Sequence, residues 1–371
     1  MEIFIAFENR PLLFSRPHSV VTCHHPSGLD DAFRKLEHAV KDGFYAAGFV
    51  SYEAGYCFEE RLREERRYDF PLLQMGIYDR PQNCRLPVKR SCGYGLDGLR
   101  LNISRDDYGA SIDEIRRHIA CGDVYQITYC VKLHFRFRGE PLELYHRLLR
   151  AQPVPYPAYI STDKFHILSL SPERFIKKRA GSVTTEPMKG TWPRGRTVFS
   201  DAAARFRFSR DIKNRSENVM IADLLRNDLG RVGKKIRAPK LFTVTGYRTL
   251  FQMTSTVTGK VRQDMPLCDL FAALFPSGSV TGAPKIRAME IIRGLETEER
   301  KIYTGAIGYM TPQRDMYFNI PIRTILLTGE DGEMGVGGGI VWDSTAQGEW
   351  DEGLLKARFL TDMASAPLIN P

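Results

Sequence analysis

The sequence predicts an α+β fold, and three observations predict it. Tyr125, Ile127, Tyr129, Val131, Leu133, Phe135 and Phe137 alternate with Gln126, Thr128, Cys130, Lys132, His134 and Arg136, the period of two of a strand with one apolar face. Such alternation suits a half-buried antiparallel strand, because strands of parallel sheets read as continuous apolar runs. Other strand-like stretches fall near 165–170, 182–186, 253–261, 303–311, 316–328 and 334–342. Helical patterns fit 213–229, 266–275, 284–295 and 349–362. Strands in blocks with a few helices between them give α+β, not a βαβ alternation.

Taken in order, residues 1–100 form an irregular N-terminal region with short apolar segments such as Tyr45–Tyr52. The loop-rich stretch Pro81–Gly98 is the natural boundary, so 1–100 is expected to pack on a catalytic part spanning 101–371, the two intertwined as one unit. From Ser104 the signals sharpen: Tyr108, Ile112, Ile115 and Ile119 share a helical face, and Gly122 is placed to stop that helix. No fixed-period repeat or low-complexity tract interrupts the chain.

Composition excludes several classes. The 371 residues are 43% hydrophobic and 26% charged, ample for a large globular core. No stretch is long and apolar enough to span a bilayer, and Met1–Phe14 is broken by Glu2, Glu8 and Arg10, so neither signal nor anchor is expected. Seven scattered cysteines without a Cys-x-x-Cys pair suit reduced thiols in a cytoplasm. The net charge of +9 is dispersed and carries no nucleic-acid motif. A modest positive field suits a small dianionic substrate instead.

Four stretches carry chemistry. Lys189, in Thr185-Glu186-Pro187-Met188-Lys189-Gly190-Thr191, follows Glu173 by sixteen residues. An amine and a carboxylate from neighbouring segments make a nucleophile and its proton handler if the amine is neutral. That requires lowering a lysine pKa of roughly 10.4 by about three units, on the order of 4 kcal/mol, which only an enclosed or electropositive site supplies. Taken alone, the pair reads first as an ordinary surface ion pair, and only its neighbours overturn that reading.

The second stretch, Ser216 to Gly230, reads as a helix with Glu217 beside the apolar Ile221 and Leu224; a carboxylate so placed needs a cation or metal. Third, Glu349 and Glu352 share one side of a helix at i,i+3 spacing. Two helices each presenting a Glu can hold Mg²⁺. Fourth, Phe275 to Lys285 is a small-residue loop opening a helix, with Thr281 as its cap, Pro284 in its first turn and exposed amides suited to an anion. It is not a Walker A loop, because Ala283-Pro284 separates the glycine from Lys285. The Gly335–Gly339 run opens no helix, which fits close backbone approach better than a dinucleotide fold.

In this order these segments closely resemble the chorismate-utilising enzymes. The resemblance rests on Gly122-Asp123-Val124-Tyr125-Gln126, Ser171 to Phe175, Met188 to Thr191, Glu217 to Gly230, Ser279 to Lys285, Tyr303 to Tyr309 and Gly337 to Glu352, covering about 105–362. It implies large antiparallel sheets packed as a sandwich with helices outside. Family members that add water carry a lysine at the place of Gln126, and an amide cannot deprotonate water. Lys189 stands where the aminodeoxychorismate synthases carry lysine and the anthranilate synthases alanine. By that resemblance Lys189 attacks C2 of chorismate, Glu173 protonates the departing C4 hydroxyl, and ammonia adds at C4 to expel the lysine.

The resemblance also implies that Glu217 and Glu352 ligate Mg²⁺, with Glu349 in an outer position. Gly190, Thr191 and Lys356 would meet the ring carboxylate, and Arg323 and Tyr303 the enolpyruvyl carboxylate. Gln126, Gln252, Ser279 and Gly337 would line the pocket. Two residues depart from the family pattern: Asn214 replaces an acidic residue, and Trp192 an arginine. The sequence carries no glutaminase signature and a fused lyase is not expected, so the resemblance implies a partner glutamine amidotransferase subunit and a separate aminodeoxychorismate lyase.

Overall fold

The computed structural model describes residues 1–84, 93–246, 250–364 and 368. Two large sheets face one another. In the first, nine strands are joined, with Gln126–Arg138 and Asp331–Ile340 antiparallel neighbours toward one end and Glu2–Ile5 and Leu12–Phe14 at the opposite edge. The second joins ten, running from Met188–Pro193 through Leu250–Lys260, Arg174–Arg179, Ala306–Met310 and Tyr45–Val50 to Ser19–Cys23. Ile3, Ile5, Phe49, Ile160, Ile167 and Ile307 fill the space between the sheets. This is the expected sandwich.

Helices cover both outer faces. Arg105–Ala120, Pro141–Ala151, Lys285–Leu295 and Ala346–Thr361 pack on the first sheet, and Leu29–Lys41, Ile212–Gly230 and Leu267–Leu274 on the second. Leu29–Lys41 shows why: Ala32, Phe33, Leu36 and Val40 form its buried stripe. Each large side chain so buried contributes about 1.5–3 kcal/mol. None of the helices among the described residues is long and apolar enough to cross a membrane.

Several expectations shift. The strand at 126–138 is buried on both faces as far as Val131 and Lys132, and alternates with exposed positions only beyond them. Its polar face is covered, with Gln126 in the site described below and Lys132 paired with Glu333 (2.5 Å). The stretch 316–328 is not one strand. Met316–Asn319 lies in the second sheet and Thr324–Thr328 in the first, and the crossing between them holds Pro321 and Arg323, the latter at φ 52°. The helix Val198–Arg210 escaped the sequence reading because Phe208 is its one buried residue and no apolar stripe exists.

The N-terminal region is woven into both layers. Glu2–Ile5 pairs with Tyr156–Ser161, and Tyr45–Val50 pairs with Ala306–Met310.

Candidate active site

Glu173 sits where the chain leaves one sheet for the other, between the strands His166–Ser171 and Arg174–Arg179. Its backbone is held at both ends: its N–H donates to Ser171 Oγ (3.1 Å), and its carbonyl accepts from the Ile320 N–H (3.1 Å). Glu173 as a whole is 3% exposed. It accepts a bond from Ser279 Oγ (2.7 Å) and a longer one from the Met188 N–H (3.4 Å). Burial pushes its pKa up to about 7, against the opposing pull of Ser279 and the Lys189 charge. A carboxyl so tuned can give and take a proton near neutrality.

Lys189 reaches the same pocket through a break in strand pairing. Lys189 opposes Met253 and Thr191 opposes Gln252, so Gly190 is an inserted residue. Gly190 adopts φ 84°, and a Cβ there would collide with the Asn214 side chain. Glycine alone suits this bulge, and bulges beside active sites re-aim a side chain. Burial lowers the Lys189 pKa below the ordinary lysine value; Glu173, Glu217 and Glu352 oppose it and Lys356 adds to it. The burial effect wins, which moves the amine toward its neutral, nucleophilic form.

The floor of the pocket is the glycine run of the strand Asp331–Ile340. A Cβ on Gly339 would collide with Gln126 Nε2 and stand 3.2 Å from Lys189 Nζ. Gln126 is fully buried, and both polar atoms of its amide lack a hydrogen-bond partner among the described residues. Buried unpaired amides are costly, and a polar ligand is the ordinary remedy. A Cβ on Gly338 would stand 2.9 Å from Glu349 Oε2 and 3.5 Å from Lys356 Nζ. Lys356 donates to the Gly337 carbonyl (2.8 Å) and pairs with Glu352 (2.7 Å).

Three carboxylates gather here from two helices. Burial raises the pKa of Glu217 and of Glu349, the latter held by Ser344 Oγ at 2.6 Å. The Lys356 charge lowers that of Glu352. Among the described residues, no group of three or more His, Cys, Asp or Glu is arranged to enclose a metal by itself.

Of the residues named from the sequence, Glu173, Lys189, Gly190, Gln126, Ser279, Glu217, Glu349, Glu352 and Lys356 meet around this floor. Gln252 is buried opposite Thr191 on the adjoining strand. Gly337 packs across the sheet, where a Cβ would overlap the Tyr129 carbonyl. Tyr303 is buried with its ring against Gly335, four strand residues from Gly339, about 13 Å along the strand. Arg323 lies at the sheet crossing, its carbonyl accepting from the Leu170 N–H (3.1 Å).

Comparison with known proteins decides the family. A family model described as chorismate binding enzyme matches residues 93–362. The chain belongs to the chorismate-binding enzymes. Aminodeoxychorismate synthase component 1 of Klebsiella aerogenes is 41% identical over 257 residues, 68% of this chain and 56% of that protein. Anthranilate synthase component 1 of Aquifex aeolicus is 36% identical over 263 residues, 70% of this chain and 53% of its own. The chain thus spans about half the length of the curated relatives it matches. The structure of anthranilate synthase component I from Streptococcus pneumoniae superposes with a TM-score of 0.78 at 25% identity, covering 96% of this chain and 89% of that one. The menaquinone-specific isochorismate synthase of Escherichia coli shares the fold, with a TM-score of 0.75 at 17% identity over 96% of this chain and 86% of its own.

In this chorismate-binding enzyme, sequence reasoning missed three features. The first is the Ser279–Glu173 bond, which joins segments 106 residues apart. The small-residue loop was read as an exposed anion cradle. It is buried instead: Gly282 and Ala283 pair with Ile127 and Gln126, Thr281 Oγ1 donates to the Ser277 carbonyl, and Pro284 caps the helix. The second is the use of Lys285 to pair with buried Asp228 (2.7 Å) behind the site. The third is which groups the glycine run meets: the close backbone approach expected of it falls on Glu349 and Lys356 at Gly338, and on Gln126 and Lys189 at Gly339.

Proposed function

We propose that this enzyme aminates chorismate at C4, as an aminodeoxychorismate synthase component I, through a covalent adduct on Lys189. The observation that carries this reading is the pairing in one pocket of a lysine with depressed basicity and a carboxyl raised to about 7. The neutral amine bonds to C2, the ring double bond shifts, and the C4–O bond breaks. Glu173 gives its proton to that oxygen, which leaves as water. Ammonia then bonds at C4, the double bond shifts back, and the C2–N bond to Lys189 breaks. The new ammonium returns a proton to Glu173. Gln126 has no basic nitrogen to activate water, which argues against hydration at C2.

Glu217, Glu349 and Glu352 fit Mg²⁺ in donor chemistry: all are carboxylates, and this ion takes one or two of them while keeping several waters. When bound, it would supply charge that holds the ring carboxylate and eases hydroxide departure. Gly190, Thr191 and Lys356 would orient that carboxylate. Arg323, with its planar fork, and Tyr303 would take the enolpyruvyl carboxylate, with Gln252 and Ser279 lining the pocket. Ammonia would come from a glutamine amidotransferase partner, and a separate lyase would consume the product.

Incubation with chorismate, Mg²⁺ and ammonium salt tests the reading. We expect 4-amino-4-deoxychorismate, and without ammonia an enzyme mass increased by chorismate less water. Anthranilate fluorescence with no added lyase would favour the activity named for the Aquifex relative instead.

A further inference from the structure

We propose that Arg300 is a positioning residue whose guanidinium fixes, through three separate segments, the acid Glu173, the amide Gln126 and the ring of Tyr303. This rests on the reading above only in requiring chorismate turnover. Arg300 is 3% exposed. One of its terminal nitrogens donates to the Val280 carbonyl (2.8 Å) and to Thr304 Oγ1 (3.2 Å). The other donates to the Thr128 carbonyl (2.7 Å) and to Glu296 Oε1 (2.6 Å), while Nε donates to Glu296 Oε2 (2.8 Å).

Three of the four acceptor residues lie one or two residues from a site group. Val280 follows Ser279, whose hydroxyl donates to Glu173. Thr128 lies two residues from Gln126 on the same strand, and Thr304 follows Tyr303. The planar fork fixes three directions at once, which a lysine ammonium does not do. Glu296 holds the fork from below, and its Oε1 also accepts the Cys130 N–H (2.9 Å). The Tyr52 ring lies 4.3 Å from the guanidinium carbon, and the Arg300 N–H donates to Glu53 Oε1 (2.7 Å). The fork is therefore held on several sides and cannot follow its partners if they move.

The consequence concerns Glu173. The Ser279 hydroxyl is the largest of three influences holding its pKa down against burial, ahead of the charge of Lys189 and the Met188 N–H. If Val280 and Ser279 drift, that bond lengthens and the acid becomes harder to ionise. A purely structural arginine would lower stability alone.

The test compares wild type, Arg300→Lys and Glu296→Gln as full-length chains, following chorismate consumption across pH with circular dichroism and melting curves alongside. We expect folded Arg300→Lys to lose roughly 10- to 100-fold in kcat and its alkaline limb to move to higher pH. Glu296→Gln, which keeps the arginine but loosens its support, should move in the same direction by less. Folded Arg300→Lys with the wild-type limb and kcat would overturn the proposal. If Arg300→Lys does not fold, the same result in folded Glu296→Gln would overturn it. A wild type that consumes no chorismate would instead sink the functional reading.

Discussion

Gly339 and Lys189 confront one another across a gap that a methyl group enters only by displacing the Gln126 amide. A Cβ on Gly339 would stand 3.2 Å from Lys189 Nζ and overlap Gln126 Nε2. The Lys189 amine is therefore positioned as much by the missing side chain of one strand as by its own.

Gly339→Ala should displace the ends of both side chains while leaving the fold intact. Its cost in stability is about 1–3 kcal/mol from overpacking, whereas kcat/KM should fall on the order of 100-fold. Parallel melting and kinetic measurements check this, and wild-type kinetics would contradict the placement of Lys189.

Lys189→Ala should abolish the chorismate adduct seen by intact-protein mass spectrometry in the absence of ammonia. An adduct persisting in this variant would remove Lys189 from the nucleophile role.

The pH profile follows from two opposite shifts. Glu173, raised to about 7, is protonated and able to act as an acid below that pH, so activity should decline above it. Lys189 must be neutral, so activity should rise with pH through its lowered pKa. Glu173→Gln should lower kcat by roughly 100- to 10,000-fold and remove the alkaline limb from what remains. The same raised carboxyl has a stability signature. Between the ordinary carboxylate value and about 7 the folded protein binds the extra proton, so this group's contribution to stability falls as pH rises through that window.

Glu217→Gln should weaken Mg²⁺ binding at least about tenfold, read by calorimetry with the ion alone and by the Mg²⁺ dependence of turnover. An unchanged titration in both would count against the carboxylate as a ligand.

Asp228→Asn should destabilise the fold by about 3–5 kcal/mol, because it leaves the buried Lys285 ammonium without its counter-charge (2.7 Å in the native pair). Denaturant melts check the figure. Asp228→Leu with Lys285→Met, which removes both charges, should recover much of the loss.

What was legible in the sequence was what local periodicity or a compact motif encodes. The helix Ile212–Gly230 and the strand Gln126–Arg138 announced themselves by their repeats, and Lys189-Gly190-Thr191 by its company. What was hidden depends on contacts distant in the chain. The half-buried reading of the strand failed because Gln126 to Lys132 face the site and the Arg300 network, not solvent. The exposed reading of the loop 275–285 failed because small residues also serve where backbones press together, as Gly282 does against the Gln126 carbonyl. Helix Val198–Arg210 could not be seen because its sequence has no side to hide.

The weaving of the first eighty residues into both layers separates the segment that the family model matches from the unit of folding. The family match begins at residue 93, yet a fragment cut there would bare the strand edges of Tyr156–Ser161 and Ala306–Met310, which Glu2–Ile5 and Tyr45–Val50 now occupy. Unpaired edges of that length invite association with other chains. The motif-bearing segment, expressed alone, should therefore accumulate as aggregate, and supplying the missing stretch as a separate polypeptide is the way to restore it.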